Sequence, residues 1–139
     1  MKRIDFYQLA DEANKAREMA YAPYSGFTVG AALLTSDEKV YLGCNIENAA
    51  YSPSICAERT AFVKAVSDGY NKPADFKAIA IVGGAKGEEP KSKCAPCGVC
   101  RQVMNEFTDP ESFLVILPDE KGELDVHTLS ELLPLGFRL

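Results

Sequence analysis

The chain has 139 residues, 47% of them hydrophobic, and a formal net charge of −5. That length is expected to make one domain, residues 1–139, around one sizeable core, and the acidic balance disfavours nucleic acid, whose phosphates call for clustered Lys and Arg. No apolar run approaches the roughly 18 residues of a membrane span, and the start Met1-Lys2-Arg3-Ile4-Asp5 turns polar at once, so neither a membrane partner nor a signal peptide is expected.

The expected compartment is the cytoplasm, where the five cysteines are thiols or metal ligands; their odd number leaves one unpaired in any all-disulfide scheme.

In chain order, Phe6, Leu9, Ala10, Ala13, Ala16 and Ala20 recur at helical spacing, which predicts an amphipathic helix over residues 5 to 21 with a close-packing Ala face, ending before Pro23. Phe27, Val29, Ala31 and Leu33 alternate with Thr28, Gly30 and Ala32 as a strand. Ser36-Asp37-Glu38-Lys39 then turns into a second strand at Val40 to Asn45, making a hairpin. Ser52-Pro53 offers an N-cap and a first-turn Pro for a helix with Ile55, Arg59, Phe62, Val63 and Val66 on one face, closing near Gly69. This places Cys56 and Glu58 in its first turns.

Ala78 to Val82 reads as a strand and Gly83 to Ala95 as a loop. Pro96 leads a helix with Val99, Val103 and Phe107 on one face, and Cys97 and Cys100 lie at its N-terminus. Phe113 to Leu117 is a further strand, and Thr128-Leu129-Ser130-Glu131 has capping-box spacing for a short last helix before Pro134. Strand-helix-strand units after a hairpin predict an α/β fold, a mixed sheet with helices on its faces. No linker, fixed-period repeat or low-complexity stretch divides the chain.

The chemistry concentrates in Cys56-Ala57-Glu58 and, 41 residues after Cys56, Pro96-Cys97-Gly98-Val99-Cys100, each at a predicted helix start. A C-x-x-C on a first helical turn lets two sulfurs converge on one ion while backbone N–H groups favour their negative charge. A third thiolate from Cys56 leaves a fourth position for water, as in a catalytic zinc site; with Cys94 as fourth ligand the site would instead be closed and structural. Glu58 weighs for the former, because a carboxylate two residues past a ligand can stand beside the water as a general base. A structural zinc module or a thiol-redox protein would leave it unexplained. Cys94 and Cys44 read as thiols without metal, and His127, the one histidine, pairs with no cysteine cluster.

Phe27-Thr28-Val29-Gly30-Ala31-Ala32, Asn45-Ile46-Glu47-Asn48-Ala49-Ala50-Tyr51, Cys56-Ala57-Glu58-Arg59-Thr60-Ala61 and Pro96-Cys97-Gly98-Val99-Cys100-Arg101-Gln102 resemble, in order, the blocks of the small zinc-dependent cytidine deaminases. The resemblance implies a mixed sheet of the five-stranded type in three α/β/α layers. It also implies hydrolytic deamination of cytidine and deoxycytidine to uridine and deoxyuridine with release of ammonia, in pyrimidine salvage. By the same resemblance Cys56, Cys97 and Cys100 hold one zinc per subunit, and Glu58 carries protons from water to N3 of cytosine and then to the departing amino group. Asn45 and Glu47 meet the ribose hydroxyls, Phe27 the pyrimidine, and the Ala57 N–H the 2-oxo group. Homotetramers with shared active sites are implied as well, with Phe137, and in a similar way Tyr51, contributed across an interface. Three thiolates blunt the acidifying effect of zinc, so Arg59 and the two helix starts are expected to withdraw charge from the sulfurs.

Overall fold

The structure, a computed structural model, describes residues 3–139; Met1 and Lys2, which open the polar start, lie outside the described residues. No helix of the described residues is long and apolar enough to cross a membrane.

Five strands form one sheet: β1 (Phe27–Thr35), β2 (Val40–Cys44), β3 (Phe76–Ala85), β4 (Leu114–Pro118) and β5 (Leu124–Thr128), in the order β2-β1-β3-β4-β5. β3 and β4 are parallel and every other neighbouring pair is antiparallel, so the sheet is mixed. The side-chain period of two explains the layering. Ala31, Leu33, Ile79, Ile81, Val115 and Leu117 point to one face, while Ala32, Leu34, Ala78, Ala80, Val82 and Ile116 point to the other.

Helix α1 (Phe6–Ala16) covers the second face with Leu9, Ala10 and Ala13. Helices α2 (Ala57–Ser67), α3 (Gly98–Phe107) and α4 (Leu129–Leu132) cover the first with Ala57, Ala61, Phe62, Cys100, Met104 and Leu129. Three α/β/α layers result. Phe62 anchors the larger core against Phe76, Phe107 and Phe113, and full burial of such a ring stabilises by about 1.5–3 kcal/mol.

Two glycines set how near the helices come to the sheet. A Cβ on Gly30 would stand 1.9 Å from the Ala13 carbonyl oxygen of α1, and one on Gly43 would stand 2.3 Å from that of Ala57 at the start of α2. The predicted Ala face of the first helix is thus packed backbone to backbone on the strand beneath it.

Several expected boundaries shift, for identifiable reasons. The first helix starts under an Asp5–Gln8 capping box but ends at Ala16, and only a 3-10 turn, Arg17–Met19, follows. Residues 20 and 21 leave the helix because the Tyr21 N–H pairs with the Asn45 carbonyl, which requires extended chain. The second helix does not start at Ser52-Pro53. Tyr51 adopts φ +57°, residues 51–53 turn, and Ile55 pairs both backbone groups with Ile46 in an antiparallel bridge, so Cys56 becomes the N-cap.

Its buried face is Ala57, Glu58, Ala61, Phe62 and Ala65; of the expected face Phe62 is fully buried, Ile55, Arg59 and Val66 are half-buried, and Val63 is 49% exposed. Gly83 and Gly84 belong to β3 and not to a loop, since β1 continues pairing with them as far as Phe27↔Ala85. β5 was not visible as an element: its pattern Leu124-Asp125-Val126-His127-Thr128 is half-polar because it is an edge strand with no fully buried residue.

Candidate active site

Both predicted thiol motifs reach the same place because α2 and α3 begin at neighbouring points beside the sheet. Cys56 is the N-cap of α2, Cys97 is the N-cap of α3, and Cys100 follows in the first turn of α3. The sulfurs of Cys56 and Cys97 lie 3.8 Å apart, those of Cys97 and Cys100 3.4 Å apart, and all three within 4.8 Å of one another.

Four-coordinate zinc with Zn–S near 2.3 Å has tetrahedral edges of about 3.8 Å, so three soft donors at these separations fit that ion and leave one corner for another ligand. Among the described residues this is the group of His, Cys, Asp and Glu side chains able to hold a metal, and Cys94 is not part of it. Burial pushes the Cys94 thiol up to about 11, helped by the charges of Glu58 and Cys56, which keeps it a neutral thiol beside the cluster.

The cluster favours thiolate character. The hydrogen bond from Cys100 holds the Cys56 thiol well below its usual range, with Arg59 adding to the effect, while Cys100, which keeps the proton, is shifted up. The Cys100 N–H also donates to Cys97 Sγ at 3.4 Å, an open helix-start donor serving the sulfur. Arg59 Nη2 lies 3.7 Å from Cys56 Sγ and 3.5 Å from the Ser54 carbonyl oxygen, and its buried Nε has no partner. The guanidinium thus stands against the Cys56 sulfur with an incomplete set of hydrogen bonds.

Glu58, 4% exposed, is in the first turn of α2, and its carboxyl is raised above the usual carboxylate range, first by burial and then by the Cys56 sulfur. Carboxylate and thiols share a cavity of about 580 Å³, within the range of small-molecule sites and apolar for much of its wall. Its far end is lined by Asn45 and Glu47. These two residues are presented by an extended segment in which Tyr21, Asn45, Ile46, Glu47 and Ile55 exchange backbone hydrogen bonds.

The Asn45 side chain already spans β1, accepting from the Val29 N–H at 2.8 Å and donating to the Phe27 carbonyl at 2.9 Å. Ala57, fully buried, brings to the same wall the first amide of α2, which by position has no intrahelical acceptor.

Of the sequence-predicted residues, Cys56, Cys97, Glu58, Arg59, Ala57, Asn45, Glu47 and Tyr51 line this one cavity, with Cys100 buried directly behind Cys97. Phe27 stands outside the lining, 44% exposed, its ring edge over Gly83 beside Cys94. Phe137 is also outside. Its ring is 66% exposed, and its carbonyl is held by Gln102 and Asn105 of α3, so it is not a core aromatic of this chain.

The sequence reading passed over Ser25, which binds Glu47, and Arg101, which donates to the Pro96 carbonyl at 2.8 Å and to that of Leu132 at 2.7 Å and so braces the loop before Cys97. The signal for Ser25 was a hydroxyl in the tight Tyr24-Ser25-Gly26 turn, with Gly26 at φ +66°. For Arg101 there was none, because its second partner is remote in sequence.

Comparison with known proteins places this arrangement. The family described as "Cytidine and deoxycytidylate deaminase zinc-binding region" matches residues 5–116. The chain is 51% identical to a cytidine deaminase of Sporosarcina psychrophila over 96% of its own length and 92% of that protein, and 48% identical to a cytidine deaminase of Halalkalibacterium halodurans over 96% and 95%. The crystal structure of a cytidine deaminase from Burkholderia pseudomallei superposes with a TM-score of 0.86 at 47% identity, covering 96% of this chain and all of that one. With the thiol motifs, the sheet order and the sequence likeness all in register, the chain belongs to the cytidine and deoxycytidylate deaminase zinc-binding family.

Proposed function

We propose that this protein is a zinc-dependent cytidine deaminase, which takes cytidine or deoxycytidine and water to uridine or deoxyuridine and ammonia. The observation that carries the reading is the buried Glu58 carboxylate beside three thiols that fit a metal with one corner open. A closed structural zinc site has no use for a proton-carrying group at its edge.

When bound, zinc supplies a Lewis-acid centre that lowers the pKa of the attacking water. Cys56, Cys97 and Cys100 are its ligands, one ion per subunit. Arg59 and the starts of α2 and α3 draw off the excess negative charge of three thiolates. Glu58 takes a proton from the water and places it on N3 of the cytosine, which makes C4 electrophilic, while the water oxygen bonds to C4. It then moves the proton of the hydroxyl now on C4 to the amino group as the C4–N bond breaks and ammonia leaves. Burial suits it to this cycle, because a carboxylate with a raised pKa is a stronger base and takes the water proton more readily.

The Ala57 N–H binds the 2-oxo group, Phe27 flanks the pyrimidine, and Asn45 and Glu47 receive the ribose hydroxyls at the far end of the cavity. The exposed rings of Phe137 and Tyr51 complete the site of a neighbouring subunit, the whole chain acting as one domain within a homotetramer. The protein works in the cytoplasm, in pyrimidine salvage, on free nucleosides. Its net charge of −5 disfavours a polynucleotide substrate.

Metal analysis of the purified protein together with the ultraviolet absorbance of cytidine and deoxycytidine tests this. About one zinc per chain and a steady loss of the cytosine band are expected. Zinc-loaded protein that leaves both nucleosides unchanged would sink the reading.

A further inference from the structure

Ser25 is exposed, and none of the roles above uses it, yet its hydroxyl joins Glu47 of the cavity lining to the backbone of Phe27 outside it. It donates to Glu47 Oε2 at 2.5 Å and accepts the Phe27 N–H at 3.0 Å. The other carboxylate oxygen, Oε1, takes the Tyr24 N–H at 2.9 Å and the Ser25 N–H at 3.1 Å. A carboxylate offers about four acceptor positions, so Oε1 is filled by this chain's backbone and one position remains on Oε2. The Ser25 bond also holds Glu47 well below the usual carboxylate range.

We propose that Ser25 is a positioning residue for the sugar of the substrate: it fixes the rotation of the Glu47 carboxylate so that the remaining Oε2 acceptor is offered to a ribose hydroxyl. The proposal rests on Glu47 being the ribose acceptor, as given under Proposed function. The terminal torsion of a Glu side chain is soft, so the second oxygen needs its own anchor to stay in place once the first is pinned. Ser25 is that anchor, and its bond to the Phe27 N–H ties the carboxylate to the chain that carries the ring at the cavity rim. Without the hydroxyl Oε2 presents two open positions and water competes for both.

The test compares ligands with and without ribose hydroxyls on Ser25→Ala and Ser25→Thr. In Ser25→Ala the KM for cytidine and the Ki for uridine should each rise about tenfold, the loss of one charge-assisted hydrogen bond, with kcat changed less than about twofold. The Ki for 2′,3′-dideoxyuridine should move less than about twofold, because that ligand keeps only its 5′-hydroxyl and offers Glu47 no 2′- or 3′-hydroxyl to accept from. Ser25→Thr, which keeps a hydroxyl, should return the cytidine KM to within about threefold of wild type. Equal changes for uridine and the dideoxy ligand, or no change for either, would overturn the proposal and leave Ser25 as a turn residue. Wild-type protein inactive on cytidine would instead remove the underlying reading.

Discussion

Two clusters of titratable side chains, one with Cys100 and Glu58 buried and one with no buried member, shift for different reasons. At the starts of α2 and α3, Cys56, Cys97, Cys100 and Glu58 crowd together with Arg59, and the shifts there combine burial with close thiol contacts. On the β5 edge, Lys93, Asp125, His127 and Glu131 form a chain of ion pairs at 2.8–3.1 Å that are as short as any in the site but lie in water. There the shifts come from the partners themselves. Good geometry is common to both, so geometry alone does not mark function; a cluster does so when desolvation makes each missing partner costly.

Glu58→Gln probes the buried cluster most severely. The amide keeps the shape and cannot accept the proton, so kcat should fall by at least ~10⁴-fold, the upper end for a group serving more than one proton transfer. Zinc content and folding should be retained. Loss of metal along with activity would make Glu58 a ligand or a prop, and activity within tenfold of wild type would hand proton transfer to another group.

Cys94→Ser sharpens the boundary of that cluster. Cys94 lines the cavity but lies outside the three-sulfur group, so its variant should keep about one zinc per chain and lose activity only a few-fold, whereas Cys97→Ser should shed the metal and with it stability. Metal loss from Cys94→Ser alone would redraw the ligand set.

The smallest effect belongs to the exposed cluster. The hydrogen bond to Asp125, then that to Glu131, raises the His127 pKa in the folded protein. The stabilisation is therefore fully present below the unfolded value of about 6.5 and is lost as pH rises through the folded value. Relative to His127→Gln, wild type should melt at most about 4 °C higher near pH 6, with the difference gone near pH 9, since exposed pairs are screened. A large difference, or one that grows with pH, would mean that this network is not the surface feature its exposure implies.

The three clustered thiols and Glu58 were legible in the sequence because each pairs a scarce chemistry with a nearby helix signal, whereas Asn45 and Glu47 entered only through the resemblance of their block to the small cytidine deaminases. Cys97 and Cys100 follow a Pro that cannot continue a helix, and Cys56 and Glu58 open a run of Ala at helical spacing. The alternation of β1 also carried the sheet layering, and both of its faces are buried under the helices expected there.

Other features depend on partners remote along the chain. The start of α2 moved from Ser52 to Cys56 because Ile46 claims Ile55, and α1 stopped short because Asn45 claims Tyr21. β5 exists because β4 offers an open edge, in spite of a half-polar sequence. Local propensity is worth tenths of a kcal/mol per residue, less than a long-range backbone pairing or the burial of one side chain, so these choices fall to tertiary contacts. The sequence by itself determined which thiols and carboxylate stand at which helix starts. Their convergence, the burial of Glu58 and the hold of Ser25 on Glu47 were decided only when the fold brought residues 47, 58 and 97 to one cavity and residue 25 to the Glu47 carboxylate.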